Sequence, residues 1–186
     1  MIDFPGSTVV HRRLPKEAFY QRLPLTAALK SKFVSDVDRI EVEHSLTKGN
    51  LHLAMAGTVQ EILLVSIILK KQDFDGKIVE AIARQNPHEL VFLLVYGKEC
   101  QLAVYHGKLY RSAWMQKDEL ALSLRGNTLD EIWDDLVRQI AISSEAVRSR
   151  KDQTINEQLQ LQDEIDRLNK LITKTEAAAW KEQQPK

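Results

Sequence analysis

The sequence has a single cysteine, Cys100, among its 186 residues. One cysteine excludes an internal disulfide and a metal site built from several thiolates. Cys100 lies in a short apolar segment. We therefore expect a buried structural side chain, because a reactive thiol needs an open, electropositive setting.

The chain also lacks an excess of charge and a long apolar run. Its 26 Lys and Arg residues balance 26 Asp and Glu residues. Bulk charge therefore does not favour nucleic acid or anionic lipid as a partner, although a local basic patch could bind either. The longest apolar run, residues 62–69, is far too short to span a bilayer. The first residues do not resemble a signal peptide, so we expect a cytoplasmic protein without membrane association.

Familiar catalytic motifs are missing as well. The sequence contains no nucleoside-triphosphate phosphate loop, no dinucleotide-binding glycine turn, no His-Glu-x-x-His and no Gly-x-Ser-x-Gly. A metal-dependent nuclease is an alternative reading, but it would need a carboxylate two residues before Lys70. Ile68 stands there and Ser66 lies two residues earlier. We assign no catalytic residue, metal ligand or cofactor, and expect a protein that is not an enzyme.

Three apolar segments form the candidate core: residues 61–70, 90–96 and 100–105. They read as strands because they are short, continuously apolar and rich in β-branched residues. An amphipathic helix is predicted between the first two, over residues 77–85. Tight turns at Gly97-Lys98 and His106-Gly107 predict a meander after the central strand.

The flanking segments read mainly as helices. We predict helices over about 15–22 and 25–36, then a half-buried strand over 40–46, where apolar and polar residues alternate. Thr128 and Glu131 form a capping box at the start of a further helix. Residues 1–13 are expected to be irregular, except for a short extended piece over residues 8–10.

These elements together predict an α+β fold, with the order α-α-β-β-α-β-β-β-α-α. The sheet is mixed, has a meander at its C-terminal end and is flanked by helices. Residues 90–96 should lie inside it. We expect alternate residues of the next strand (Cys100, Leu102 and Val104) to face inward.

After Ala141 the composition changes, which predicts a domain over 1–142 and a helical tail over 143–186. The tail lacks glycine and is rich in Gln, Glu, Lys and Arg. We expect one helix over 143–180. Its apolar residues follow the 4-3-4 spacing of a coiled-coil seam: Leu161, Ile165, Leu168 and Ile172. Such a stripe predicts an interface, either in a weak homodimer or with a protein partner.

Basic residues near the N-terminus are the best local electrostatic feature. Arg12, Arg13 and Lys16 lie close together in the sequence. We consider them, with Lys70, as candidate contacts for a phosphate or an acidic partner, against the alternative of solvated surface residues. A weak nucleic-acid binder is therefore a third functional hypothesis.

The order of three segments resembles a prokaryotic family known as domain of unknown function 4391. The first segment is 12–20, the second is 61–70, and the third runs in pieces from 78 to 133. The resemblance implies an accessory role, because such genes are found beside helicases and DNA methyltransferases in phage-defence loci. Members often carry acidic residues in the strand that ends at Lys70. In this chain Ser66 and Ile68 stand in their place, which weakens a catalytic role. We therefore expect a non-catalytic accessory or interaction module with a helicase or methyltransferase as partner.

Overall fold

The computed structural model describes residues 2–55 and 57–182. The chain forms two compact units, Met1–Ala141 and Ile142–Lys186, and each is described by itself. The described residues of the first unit form nine strands and four α-helices, in chain order β1 (Ile2–Asp3), β2 (Val9–Leu14), α1 (Lys16–Arg22), α2 (Ala27–Asp36), β3 (Val37–Thr47), β4 (Glu61–Leu69), α3 (Gly76–Gln85), β5 (Glu89–Tyr96), β6 (Glu99–His106), β7 (Lys108–Arg111), β8 (Met115–Gln116), β9 (Leu122–Ser123) and α4 (Leu129–Ala141).

The main sheet is mixed and has seven strands, which confirms the predicted α+β class. Its order is β2-β3-β4-β5-β6-β7, with β8 also paired to β6. β4 and β5 run parallel and are joined through α3, whereas the other neighbours are antiparallel. A parallel pair needs such a crossover, while antiparallel strands can be joined by a tight turn. β5 lies between β4 and β6, as its continuously apolar sequence predicted.

Local sequence explains where the main helices begin. Asp75 accepts a hydrogen bond from the backbone N–H of Lys77 at 3.1 Å and caps α3. Thr128 accepts from the N–H of Glu131 at 3.1 Å before α4, as the predicted capping box requires. The Glu131 carboxylate reaches one residue further back than expected, to the N–H of Asn127 at 2.7 Å. One orphan N–H group of α4, that of Glu131, is therefore paired, and so is the N–H of Asn127 just before the helix.

The core on the α3 side of the sheet joins buried residues of α2, α3 and β3–β6. Phe33, Ile40, Ile67 and Phe92 are fully buried there. The inward residues predicted for β6 (Cys100, Leu102 and Val104) are buried, and Gln101 and Ala103 between them are buried as well. β6 contacts both α3 and α4, so both of its faces are covered.

The N-terminal segment was predicted to be irregular apart from a short extended piece over residues 8–10, but β2 continues as a strand to Leu14. β2 pairs antiparallel with β3, and the register shifts between Val9 and Arg12. His11 lies in this irregularity with a left-handed φ of 46°. Residues 9–13 are all exposed. The strand therefore carries no burial pattern that the sequence could reveal, and its pairing with β3 defines it.

The second unit contains α5 (Glu145–Arg148) and α6 (Ile155–Glu182). The single helix predicted over 143–180 is therefore wrong. The Thr154 hydroxyl accepts from the N–H of Glu157 at 3.3 Å, and the Glu157 carboxylate accepts from the N–H of Thr154 at 2.8 Å. This capping box starts a new helix and separates α6 from α5. Among the described residues, no helix is both long and apolar enough to cross a membrane.

Candidate functional site

The structure divides the predicted basic cluster between two pockets. Arg12 and Arg13 are neighbours on β2, so their side chains leave opposite sides of the strand. Arg12 lies opposite Val42 and lines a pocket of about 260 Å³. Arg13 lines a different pocket of about 370 Å³, together with Lys16 and Arg39. Spacing in the sequence did not reveal this division.

Most cations of the second pocket already have partners. The Lys16 ammonium donates to the carbonyl oxygen of Val37 at 2.7 Å. Arg39, which the sequence analysis did not single out, pairs with Glu41 at 3.1 Å. Within the described part of the chain, Arg13 is the one of the three whose side chain makes no hydrogen bond or ion pair. The positive charge available to an anion is therefore smaller than the number of cations suggests.

Lys70 lines neither of these pockets. It is exposed just after β4, and its ammonium donates to the carbonyl oxygen of Val34 at 3.4 Å. The adjacent Lys71 pairs at 2.9 Å with Asp36, a carboxylate whose residue is only 1% exposed. The structure therefore leaves Lys70 apart from Arg12, Arg13 and Lys16.

A chain of polar groups crosses β2, β3 and β4. The hydroxyl of Ser66, which is 2% exposed, donates to Oε1 of Glu43 at 2.6 Å. The other carboxylate oxygen, Oε2, lies 2.9 Å from Nδ1 of His11. A carboxylate at Nδ1 fixes the orientation of a histidine ring. The sequence analysis missed this polar chain, because the bulge that places His11 beside Glu43 arises only from strand pairing.

The position required by the nuclease alternative lies two residues further along β4. Ile68 is half-buried there and pairs across the sheet with Arg39. Over residues 2–55 and 57–182, no group of three His, Cys, Asp or Glu side chains could hold a metal ion. Glu41 does lie opposite Ser66, but it is engaged by Arg39.

Two half-buried carboxyl groups near His106 are also perturbed. Burial raises the pKa of Glu89 on β5 and of Asp134 on α4, and the charge of His106 opposes both shifts. Raised carboxyl pKa values occur at acid–base sites, but burial alone also produces them. Burial likewise raises the pKa of the Cys100 thiol, and the residue is fully buried. That agrees with the structural role expected for the cysteine.

The predicted stripe on the tail helix is exposed unevenly. Leu161 and Ile165 are half-buried, whereas Leu168 is 42% and Ile172 is 54% exposed. From residue 166 to 181 every residue of α6 is exposed. We call Leu168, Leu171, Ile172 and Trp180 the distal apolar group; their exposures are 42, 52, 54 and 72%.

Gln158 lies at the seam position before Leu161, where a polar residue would weaken a coiled coil, but it has a different role. It is fully buried, and its amide donates to the carbonyl oxygens of Arg150 at 2.7 Å and Val147 at 3.3 Å. The amide thus ties the first turn of α6 to the end of α5 and to the segment that follows it.

Comparison with known proteins identifies the family. The chain matches no curated protein and no solved structure. The family model described as Domain of unknown function (DUF4391) matches residues 2–186, which is nearly the whole chain. The chain therefore belongs to the DUF4391 family.

Proposed function

We propose that this protein is a non-catalytic interaction module that binds its partner through the exposed end of α6. The observation that supports this proposal is the distal apolar group, whose four large side chains lie on one helix and are 42–72% exposed. Fully burying one such side chain is worth roughly 1.5–3 kcal/mol. A polar helix with large apolar residues left in water gains stability when a second surface covers them.

The charges of α6 favour a second copy of the chain, running antiparallel, as the occupant. Residues 155–166 carry four carboxylates and no lysine or arginine. Residues 167–182 carry four lysines and arginines against two carboxylates. Antiparallel copies would place the acidic half of each helix beside the basic half of the other. Parallel copies would place like charges together, which is unfavourable.

The accessory role in phage defence rests on the resemblance to genes found beside helicases and DNA methyltransferases. In this proposal the module contributes contacts, and the larger enzyme contributes the chemistry. Cytoplasmic location follows from the same proposal, because both kinds of enzyme act on DNA inside the cell. The helicase or methyltransferase is the competing occupant of the distal apolar group.

Sedimentation velocity of the full chain over a range of concentrations tests the self-pairing. We expect a reversible monomer–dimer equilibrium that Leu168→Lys with Ile172→Lys abolishes. Thr173→Lys with Ala177→Lys is the matched control, because it adds the same two charges to exposed positions on another side of α6. The control should dimerise like the original chain.

The relative direction of the two helices is tested by reversing charges in the basic half of α6. Lys170→Glu with Lys174→Glu should weaken an antiparallel dimer, because the new acids would face the acidic half of the other copy. It should leave a parallel dimer unchanged, because like charges would still face each other. The chain could instead stay monomeric and bind a neighbouring helicase or methyltransferase through Leu168 and Ile172. That result would show that the enzyme, and not a second copy, covers the distal apolar group. Failure of both kinds of binding would refute the module.

A further inference from the structure

A groove opens on the side of the sheet that α1 and α3 cover. Its floor is apolar: Val42, Val65 and Leu90 are each at most 3% exposed. Phe19 of α1 and Ile82 of α3 line its walls. The groove has a volume of about 260 Å³, room for roughly nine waters at about 30 Å³ each. An apolar hollow gains more from a hydrocarbon chain or a ring than from water.

The rim of the groove carries one uncommitted cation. Arg12 lines it, and its guanidinium makes no hydrogen bond or ion pair with any residue that the structure describes. Glu61 lies on the same rim, but it accepts from the Ser45 hydroxyl at 2.5 Å and lies 3.3 Å from Nε2 of His88. The guanidinium is therefore available for an anionic group. A second negative charge on that group would meet Glu61.

A second pocket under α1 borders the groove. That pocket has a volume of about 370 Å³, and both are lined by Leu14, Phe19, Ile82 and Asn86. The apolar path is thus longer than either pocket alone. A ligand held at Arg12 could extend its apolar end under Phe19.

We propose that this groove binds a small amphipathic monoanion, with its carboxylate on Arg12 and its hydrocarbon part on the floor. A medium-chain carboxylate has this chemistry. A planar guanidinium pairs with a carboxylate through two parallel hydrogen bonds, which fixes the head while the floor holds the tail. The proposal is independent of α6, because every residue of the groove lies in the first unit.

Fluorescence of anilinonaphthalene sulfonate, an apolar monoanion, is the primary measurement on the full chain. The Leu168→Lys, Ile172→Lys background keeps the dye off the distal apolar group. We expect saturable binding of one dye per chain and its displacement by decanoate. Millimolar inorganic phosphate should not displace it. Displacement by phosphate but not by decanoate would overturn the proposal in favour of a simple anion site.

Arg12→Gln and Arg13→Gln form a matched pair, because each removes one exposed arginine from the same strand. Losing a hydrogen-bonded charge pair should weaken decanoate and dye binding about tenfold for Arg12→Gln. Arg13 lines the other pocket, so the affinity of Arg13→Gln for decanoate and dye should stay within about twofold of the original chain. Equal losses for the two variants, or no saturable binding at all, would overturn the proposal.

Leu63→Trp provides a steric test. Leu63 is half-buried and lines the groove, so a larger ring there should fill it. Dye binding should fall at least tenfold while the circular dichroism spectrum stays unchanged. Unaltered affinity in a folded Leu63→Trp variant would place the dye elsewhere and refute the groove. If that variant does not fold, the arginine pair, which is exposed, decides the question.

Discussion

The polar chain Ser66–Glu43–His11 allows a test of which end of a hydrogen-bond network contributes to stability. Ser66 is 2% exposed, and its hydroxyl donates to Glu43 at 2.6 Å. The side chain of His11 is 70% exposed. Glu43→Met keeps the length of the side chain and removes the carboxylate that contacts both Ser66 and His11. The buried end should account for nearly all of the resulting loss in the free energy of unfolding.

The magnitude follows from burial. A buried hydroxyl left without a partner costs about 1–3 kcal/mol. The ion pair with His11 is exposed and is worth about 0.2–1 kcal/mol at most. Ser66→Ala alone should cost little, because Glu43 keeps His11 and some contact with water. Glu43→Met with Ser66→Ala should recover most of the loss, giving a coupling energy of about 0.5–3 kcal/mol.

Urea unfolding followed by tryptophan fluorescence is the assay. Trp114 and Trp133 lie in the same unit as the mutated residues, whereas Trp180 lies on α6. Trp180→Phe therefore gives the background in which the signal reports the first unit. The Glu43→Met loss corresponds to a melting temperature lower by roughly 2–12 °C for a chain of this size.

Two results would refute the reasoning. If His11→Ala destabilised the protein as much as Glu43→Met, the exposed ion pair would be the important contact. If the double variant were no more stable than Glu43→Met alone, the hydroxyl of Ser66 would have found another partner. Either outcome would mean that burial does not decide the cost in this polar chain.

Three further predictions concern the core, a loop contact and catalysis. Phe92→Ala should lower the free energy of unfolding in urea by about 3–5 kcal/mol, because Phe92 is fully buried. The loss should clearly exceed that of Leu93→Ala at the half-buried neighbour. A smaller loss for Phe92→Ala than for Leu93→Ala would contradict the packing. The hydrogen bonds that Asp130 accepts from Thr58 lower the pKa of its carboxyl, so this contact stabilises the fold above pH about 4 and is lost as the pH falls through the lowered pKa. The difference in stability between the original chain and Asp130→Asn should shrink over that range, and a constant difference would exclude the linkage. The isolated chain should not cleave DNA or RNA with Mg²⁺ or Mn²⁺, and cleavage abolished by Lys70→Ala would overturn the non-catalytic reading.

Much of the central fold could be predicted from local sequence. Residues 90–96 are apolar throughout and too short for a typical helix, and they form the strand inside the sheet. The amphipathic pattern over residues 77–85 predicted α3, and Thr128 with Glu131 predicted α4. Each of these signals is contained in a few neighbouring residues, as an apolar pattern or a capping pair, and can therefore be recognised in the sequence.

The tail shows how one overlooked local signal changes an element. Thr154 and Glu157 form a capping box of the same kind as Thr128 and Glu131, and it divides the predicted helix. Gln158, which looked like a polar defect in a seam, is buried because two carbonyl groups of a neighbouring turn accept its amide hydrogens. Composition alone could not reveal either effect, because both depend on where backbone groups are left unpaired.

Tertiary structure alone decided the candidate sites. The sequence placed Arg12 and Arg13 in one cluster, but strand geometry sends them to different pockets. Ser66 and Glu43 are 23 residues apart, and only the register of β3 on β4 brings them together. Helix and strand periods are encoded by neighbours along the chain. Sites are assembled from residues distant in sequence, whose meeting depends on pairing register and on a bulge that leaves no periodic trace.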